Sequence, residues 1–158
     1  MTQYYQHPKR KTKVVFVQLG SPSEPTTKAL RKYLRDFLGD PRVVDINPWL
    51  WKIILNFFVL PFRPKKSAKL YARIWDGESF PLITNTRDFT NNVSEELKKI
   101  DPKGYVEVNH AFLLSPPYVN EVYDSWEDDL KKGIGATKLL VIPMFPQYSE
   151  STIASGID

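Results

Sequence analysis

The chain has 158 residues, of which 42% are hydrophobic and 25% are charged; these proportions are typical of one folded domain with an apolar core. It contains no cysteine, which excludes disulfides, thiolate metal sites and cysteine-ligated iron–sulfur clusters. The net charge of +4 is too small to indicate nucleic-acid binding. No run reaches the roughly 20 apolar residues that a membrane-spanning helix needs.

Residues 1–12 are basic and lack the apolar region of a signal peptide, so we predict a mobile tail. His7 lies in this tail with no second metal ligand near it, and we interpret it as a solvated residue. Residues 13–158 are predicted to form one domain.

The first half of the domain begins with a strand. The apolar run Val14–Val17 predicts a strand that is covered on both faces. A helix follows, and either Thr26 or Thr27 can cap its first turn. The run Val43–Ile46 predicts a short second strand.

The second half alternates between helices and strands. Helices are predicted at Lys66–Trp75, Ile83–Ile100 and Val119–Leu130, and strands at Tyr105–Phe112 and Leu139–Ile142. With a further helix at Pro48–Phe62, the order is β-α-β-α-α-α-β-α-β. This order predicts an α/β fold with a parallel sheet and helices on both faces.

The segment Pro48–Phe62 is unusual because only Lys52 and Asn56 interrupt its apolar residues, and it contains no acidic residue. It also carries Trp49 and Trp51. Three interpretations are open: a helix in a bilayer interface, a surface buried against a partner domain, or a wall of a hydrophobic ligand site. Each is plausible because exposed apolar surface usually marks an interaction.

The stretch Lys138–Thr152 begins as a buried strand and ends in hydroxyl and amide side chains. Pro143 and Pro146 prevent regular pairing, so we expect the chain to leave the sheet there. The polar residues would then lie at the carboxyl end of a strand, where open α/β sheets bind ligands. Ser149, Ser151 and Thr152 could also cap a following helix and leave N–H groups free for an anion. The alternative is a plain loop between a strand and a helix.

Three motifs resemble those of the ferrochelatase family, in the order and spacing of that family. They are QLGSP at residues 18–22, LPFRPKKSAKLYARIW at residues 60–75 and PMFPQYSEST at residues 143–152. The resemblance extends from about Lys13 to the end of the chain. It implies one half of a two-domain, chelatase-type or flavodoxin-like protein that inserts ferrous iron into a porphyrin.

The resemblance also implies a porphyrin site whose lip is the segment Pro48–Phe62, which in some members of the family contacts a membrane. Cations should meet the porphyrin propionates, although by charge alone the basic residues after this segment could be a solvated patch. The implied site residues are Leu19 beneath the macrocycle, Arg63 and Lys66 near a propionate, Tyr71 and Ser149 in the pocket lining, Phe145 where the family often has an aromatic residue, and Tyr148 in the PQYS turn.

The residues that perform the chemistry of the family are missing from the sequence. Ferrochelatases carry a metal-binding, proton-accepting His and its partner Glu in the second half of a longer chain. Neither His7 nor His110 matches that position, and His110 is interpreted as a structural residue of a strand. We therefore predict an N-terminal domain of a lyase without catalytic or metal-binding residues, inactive alone and without a cofactor. Ferrous iron would be a substrate of the complete protein.

Two departures from the family pattern keep other functions open. Leu113-Leu114 stands where many members have Arg-Tyr or a similar pair, and Phe80 replaces a Ser before Pro81. The alternatives are a non-catalytic porphyrin- or haem-binding or membrane-interface module, and a small homodimeric tetrapyrrole chelatase. We expect a cytoplasmic protein that contacts the membrane peripherally through Trp49–Phe62, and a domain without its second half could dimerise through exposed apolar surface.

Overall fold

The computed structural model describes residues 11–145, so the predictions for residues 1–10 and 146–158 lie outside the described residues. Three parallel strands form one sheet in the order β2-β1-β3. The strands are β1 (Thr12–Gln18), β2 (Val106–Phe112) and β3 (Lys138–Pro143). The helices are α1 (Thr27–Gly39), α2 (Pro48–Ile54), α3 (Leu60–Tyr71), α4 (Pro81–Ile100) and α5 (Val119–Lys131), with a π-helical turn, Leu55–Val59, between α2 and α3.

Helices pack on both faces of the sheet, as predicted. Successive side chains of β1 point to opposite faces, so Val15 and Val17 face one side and Phe16 faces the other. Val122 of α5 packs against the cluster that contains Val15 and Val17. Phe89 of α4 meets Phe16 edge to face, with the ring centroids 5.1 Å apart. The predicted α/β class is therefore confirmed.

The predicted second strand at Val43–Ile46 is wrong, because this segment forms turns. The Val43 amide donates to the carbonyl of Asp40 at 3.0 Å, and the Ile46 amide donates to the carbonyl of Val44 at 3.0 Å. These local bonds use backbone groups that a strand would need for pairing. In addition, β2 and β3 already occupy both sides of β1. The described part of the chain thus has three strands instead of the predicted four.

The other predicted elements are present, with adjusted ends. Thr26 caps α1 as predicted, and its Oγ1 accepts from the Ala29 amide at 3.2 Å. The helix predicted to reach Trp75 ends at Tyr71. At the end of β3, Pro143 still lies in the strand, and the next amide, of Met144, donates to the carbonyl of Val17 at 2.9 Å.

We call Pro48–Phe62 the lip segment, and its helical path is interrupted by the π-helical turn. Pro61 lacks an N–H group and Pro64 lies inside α3, so two intrahelical hydrogen bonds are missing at this point. The Leu60 amide instead donates to the carbonyl of Leu55, five residues back, which is the spacing of a π-helix.

The lip segment is attached to α1 by a buried apolar cluster. Tyr33 and Leu34 of α1 pack with Leu55 and Leu60 of the lip segment. The indole Nε1 of Trp51 also donates to the carbonyl of Leu38 at the end of α1, at 2.7 Å. The inward side of the lip segment is therefore part of the core.

The turn after β1 generates the first testable prediction. Gly20 has a φ of +92°, and a Cβ added there would overlap Oγ of Ser115. We expect Gly20→Ala to lower the free energy of unfolding by at least about 1–3 kcal/mol, the typical cost of a left-handed backbone for a residue other than glycine. Urea denaturation measures the change.

Gly104→Ala is the matched control, since Gly104 has a φ of +65° and nothing lies within 4 Å of its added Cβ. The loss at Gly20 should be larger because only there does the new methyl group meet a buried side chain. Equal losses in the two variants would contradict the constraint that we assign to Ser115.

Candidate functional site

The carboxyl ends of the three parallel strands meet at one edge of the sheet. Gln18, the last residue of β1, joins this edge to the exit of β3, because its Nε2 donates to the carbonyl of Met144 at 2.9 Å. Its Oε1 accepts from the Leu19 amide at 3.0 Å. Leu19 follows Gln18 and Phe145 follows Met144, so the hydrogen bond between Gln18 and Met144 brings these two predicted site residues to the same edge. Both are half-buried. This is the edge where open α/β sheets bind ligands.

The loop after β2 is held to the other side of the same turn. The Leu113 amide donates to the carbonyl of Gln18, and the Leu114 amide donates to the carbonyl of Leu19, both at 3.0 Å. The buried Ser115 accepts through Oγ from the Ser21 amide at 3.3 Å. Leu19 thus lies at the centre of the edge, between the loops that follow β2 and β3.

Tyr71, another predicted site residue, belongs to an aromatic cluster beside this edge. Its ring centroid lies 6.3 Å from that of Tyr33 and 5.4 Å from that of Phe80, and the rings of Trp75 and Phe80 are 4.7 Å apart. Phe37 adds a ring stacked on Tyr33 at 6.3 Å. We refer to Tyr33, Phe37, Tyr71, Trp75 and Phe80 as the aromatic cluster.

Tyr33 links the aromatic cluster to the turn after β1. Its hydroxyl donates to the carbonyl of Gly20 at 3.5 Å. Burial raises the pKa of Tyr33 well above its ordinary value, and the neighbouring Tyr71 raises it further, so the phenol stays protonated as a donor. Tyr71 is therefore connected to the backbone beside Leu19 through one intermediate side chain. Sequence reasoning missed Tyr33, although its place on the apolar side of α1 is visible in the helical spacing.

The two predicted propionate-binding cations, Arg63 and Lys66, lie on α3 and are exposed. Residues three apart on a helix are neighbours, so one carboxylate can meet both. Neither side chain forms an ion pair with another described residue. Neither of the two cavities described below is lined by Leu19, Arg63 or Lys66.

The residues that depart from the family pattern, Phe80 and Leu113-Leu114, have structural roles that sequence reasoning missed. Phe80 is 2% exposed and fills the space between Tyr71 and Trp75. The adjacent Ser79 keeps a hydroxyl at this point, and its Oγ lies 2.6 Å from Oγ1 of Thr84.

The adjacent leucines after β2 pack on two different clusters. Leu114 joins the cluster of Tyr33 and Leu60, whereas Leu113 joins that of Val15. Each of the two leucines therefore contributes to the packing of a different apolar cluster.

The predicted site residues Tyr148 and Ser149 lie outside the described residues, as does His7. Their assignments stay predictions.

His110 lies inside β2, opposite Phe16 of β1, and its ring centroid is 5.6 Å from that of Phe112. Burial lowers the pKa of His110 below its ordinary value of 6.5, and the positive charge of Arg87 lowers it further. The imidazole is therefore held neutral within the sheet. Among residues 11–145, no group of three or more His, Cys, Asp or Glu side chains is placed to hold a metal ion.

The outward side of the lip segment is apolar and exposed. Trp49, Phe57, Phe58 and Phe62 are between 65% and 74% exposed. Large apolar side chains that are exposed usually mark an interaction when they form a patch. In the described part of the chain, no helix combines the length and apolar character that crossing a bilayer requires.

Comparison with known proteins agrees with the three motifs. Residues 11–158 match the family model described as Ferrochelatase. The chain is 41% identical to the ferrochelatase of Idiomarina loihiensis over 145 residues, which are 92% of this chain and 38% of that relative. It is 39% identical to the ferrochelatase of Actinobacillus pleuropneumoniae serotype 5b over 145 residues (92% and 43%), and 36% identical to that of Francisella tularensis subsp. tularensis over 159 residues (99% and 44%). The chain thus spans less than half the length of these curated relatives.

The burial of Phe80 leads to a prediction about the aromatic cluster. Phe80→Ala should lower the free energy of unfolding by about 3–5 kcal/mol, because a large buried ring leaves a cavity. Phe62→Ala is the matched control, since Phe62 is 73% exposed and its loss should change stability by less than about 0.5 kcal/mol. Thermal or urea unfolding measures both; a small effect at Phe80 would show that the cluster is not part of the core.

The lowered pKa of His110 predicts a pH dependence of stability. Below pH 6.5 the unfolded chain protonates this histidine while the folded chain resists protonation, so the free energy of unfolding decreases as the pH falls through that window. Urea denaturation at about pH 7.5 and 5.5 brackets this window. The wild type should lose more stability between the two than His110→Gln does.

His7→Gln is the control for this pH experiment, because it removes the other histidine of the chain, which lies outside the described residues. It should keep the pH dependence of the wild type. The same pH dependence in His110→Gln and in the wild type would contradict the assignment.

Proposed function

The chain belongs to the ferrochelatase family, and we propose that it is the N-terminal porphyrin-pocket domain of an enzyme that inserts ferrous iron into a porphyrin during haem biosynthesis. The observation that carries the proposal is the carboxyl edge, where the family motif at residues 18–22 forms the turn that joins the exits of all three strands. Ferrous iron and the porphyrin are substrates in this proposal, and no cofactor is proposed.

The proposed porphyrin site combines apolar and cationic groups. A porphyrin is a flat apolar ring that carries carboxylates, so burial of its ring contributes roughly 25 cal/mol per Å². We assign Leu19 to the floor beneath the ring and Phe145 and Tyr71 to its sides, with the lip segment as a wall. The exposed Arg63 and Lys66 pair with a propionate, since guanidinium and ammonium groups form charge-assisted bonds with carboxylates. Tyr148 and Ser149 complete the proposed lining.

Metal insertion requires groups beyond this binding site. A base must remove the pyrrole protons, and a neutral His or a carboxylate must deliver the iron. His110 is neutral, but it lies within β2 and packs against Phe112. We therefore assign proton removal and iron delivery to the remaining part of the family's polypeptide, and propose that this chain alone binds porphyrin without metallating it.

The described residues cover β3 only in part, which supports a further partner that packs beside this strand. Leu140 is 49% exposed on one face of the sheet. On the other face, Leu139 and Val141 line a cavity of about 1110 Å³ that Val119 and Val122 of α5 also line, so α5 covers this face only in part. Parallel strands are normally covered on both faces, so we propose that the second chelatase domain packs beside β3.

A second candidate is a non-catalytic porphyrin- or haem-binding module at a membrane interface, and the exposed aromatic side of the lip segment favours it. In that case the protein would be cytoplasmic and peripheral to the membrane. A third candidate, a homodimeric tetrapyrrole chelatase, is favoured by the face of β3 that carries Leu140, which is 49% exposed and which a second copy could cover. Solution mass separates it from the other two.

Porphyrin binding tests the proposed site directly. Titration with a free-base dicarboxylate porphyrin should give saturable quenching of tryptophan fluorescence. Arg63→Gln with Lys66→Gln should weaken binding at least about tenfold, because hydrogen bonds to charged groups contribute roughly 1.5–3 kcal/mol each, less where they are exposed. The double variant should bind the esterified porphyrin, which lacks carboxylates, as the wild type does.

Lys65→Gln with Lys69→Gln is the matched control, since it removes two exposed positive charges from the same helix. It should leave the affinity for the dicarboxylate porphyrin nearly unchanged. Equal weakening in both double variants would point to nonspecific attraction, and absence of saturable binding in the wild type would refute the porphyrin site.

A further inference from the structure

A smaller cavity of about 450 Å³ lies between the end of α1, the turns that follow it and α2. Its size falls within the range of about 300–1,000 Å³ that is usual for small-molecule sites. None of the individually assigned porphyrin-site residues lines it, but Pro48, Trp51, Lys52, Leu55 and Asn56 of its lining belong to the lip segment. Its apolar lining consists of Pro41, Val44, Ile46, Pro48, Trp51 and Leu55.

The charged groups of this cavity have one sign. Arg35 and Lys52 line it, and no carboxylate does. Among the described residues, neither side chain forms an ion pair. The larger cavity beside β3 differs, because Asp36, Glu121 and Asp124 contribute to its lining. An apolar cavity with two cations complements a molecule that has an apolar chain and an anionic head.

The walls of the cavity are fixed by hydrogen bonds. Trp51 Nε1 donates to the carbonyl of Leu38 at 2.7 Å, which holds α2 against α1. Asn47 caps α2, and its Oδ1 accepts from the amides of Trp49 and Leu50 at 3.1 and 3.4 Å. The cavity is therefore formed before a ligand binds, which lowers the entropic cost of binding.

The surroundings of the cavity favour a lipid as its ligand. Trp49 and Leu50 on the same helix are 74% and 49% exposed. From Pro48 to Trp75 the chain contains no Asp or Glu. On the opposite wall, Asp40 and Asp45 flank lining residues in the sequence but do not line the cavity themselves. We propose that this cavity binds one anionic phospholipid, with an acyl chain against Trp51 and Leu55 and the phosphate between Arg35 and Lys52. The proposal does not rest on the porphyrin function, although the cavity and the proposed porphyrin site share the lip segment.

Binding of a soluble short-chain lipid tests the proposal. Dioctanoyl phosphatidylglycerol, kept below its critical micelle concentration, should bind at one molecule per chain in isothermal titration calorimetry. Dioctanoyl phosphatidylcholine should bind at least about tenfold more weakly, because its head group has no net charge. No saturable binding, or several molecules per chain, would overturn the single site.

Two matched double variants test the charges. Arg35→Gln with Lys52→Gln should weaken binding of the anionic lipid at least about tenfold. Lys28→Gln with Arg31→Gln removes two exposed charges from α1 outside the cavity and should change the affinity less than about twofold. Equal weakening in both would mean general surface attraction and would overturn the proposal. Weakening by Arg63→Gln with Lys66→Gln would place the lipid in the porphyrin site, with the same consequence.

A steric variant tests the apolar part of the cavity. Ile46→Trp enlarges a side chain of the lining and should abolish binding of the short-chain lipid. Ile134→Trp enlarges another exposed isoleucine, which lies outside the lining, and should leave binding intact. Thermal unfolding confirms that both variants remain folded. Unchanged binding in folded Ile46→Trp would overturn the assignment.

Discussion

The hydrogen bonds of Gln18 and Leu19 hold the carboxyl edge of the sheet together, and the rest of the site depends on them. The Gln18 side chain reaches the exit of β3, and the backbone carbonyls of Gln18 and Leu19 hold the exit of β2. Gly20 then turns with a positive φ beside Ser115, where a side chain would overlap, and its carbonyl accepts from Tyr33. One short turn thus fixes the positions of three loops and of the aromatic cluster.

One side of the lip segment is buried and the other side is exposed. This difference limits where each of the three interpretations of its sequence can apply. Its inward residues Leu55 and Leu60 are buried against α1, and each fully buried side chain of this size contributes about 1.5–3 kcal/mol. Its outward residues, such as Trp49 and Phe57, remain exposed. The inward side is therefore core and, through Trp51 and Leu55, one wall of the smaller cavity. The outward side is left for a lipid surface or a second domain. The π-helical turn keeps the chain helical up to Pro61, so one continuous segment carries both the buried and the exposed residues.

Periodicity predicted the elements that have long apolar patterns, including β1, α1 and α4, because burial of one face determines their structure. It failed at Val43–Ile46, where four residues make only local turn bonds and no strand position beside β1 is open. The π-helical turn and the burial of Phe80 depend on packing between segments distant in sequence, which a local pattern does not contain. The family motifs predicted Leu19 and Tyr71 as site residues, and these assignments stay predictions. The connecting role of Tyr33 required the three-dimensional contacts.

The most direct test of the central claim is iron insertion measured with two separately purified pieces. One is this chain, and the other is the part of the Idiomarina loihiensis ferrochelatase that follows the region matched here. Ferrous iron and a free-base porphyrin are supplied, and the absorption bands of the metallated ring are followed. We predict no metallation above the uncatalysed rate with either piece alone, and metallation when the two are mixed. Metallation by this chain alone would contradict the claim that it supplies only the porphyrin-binding half.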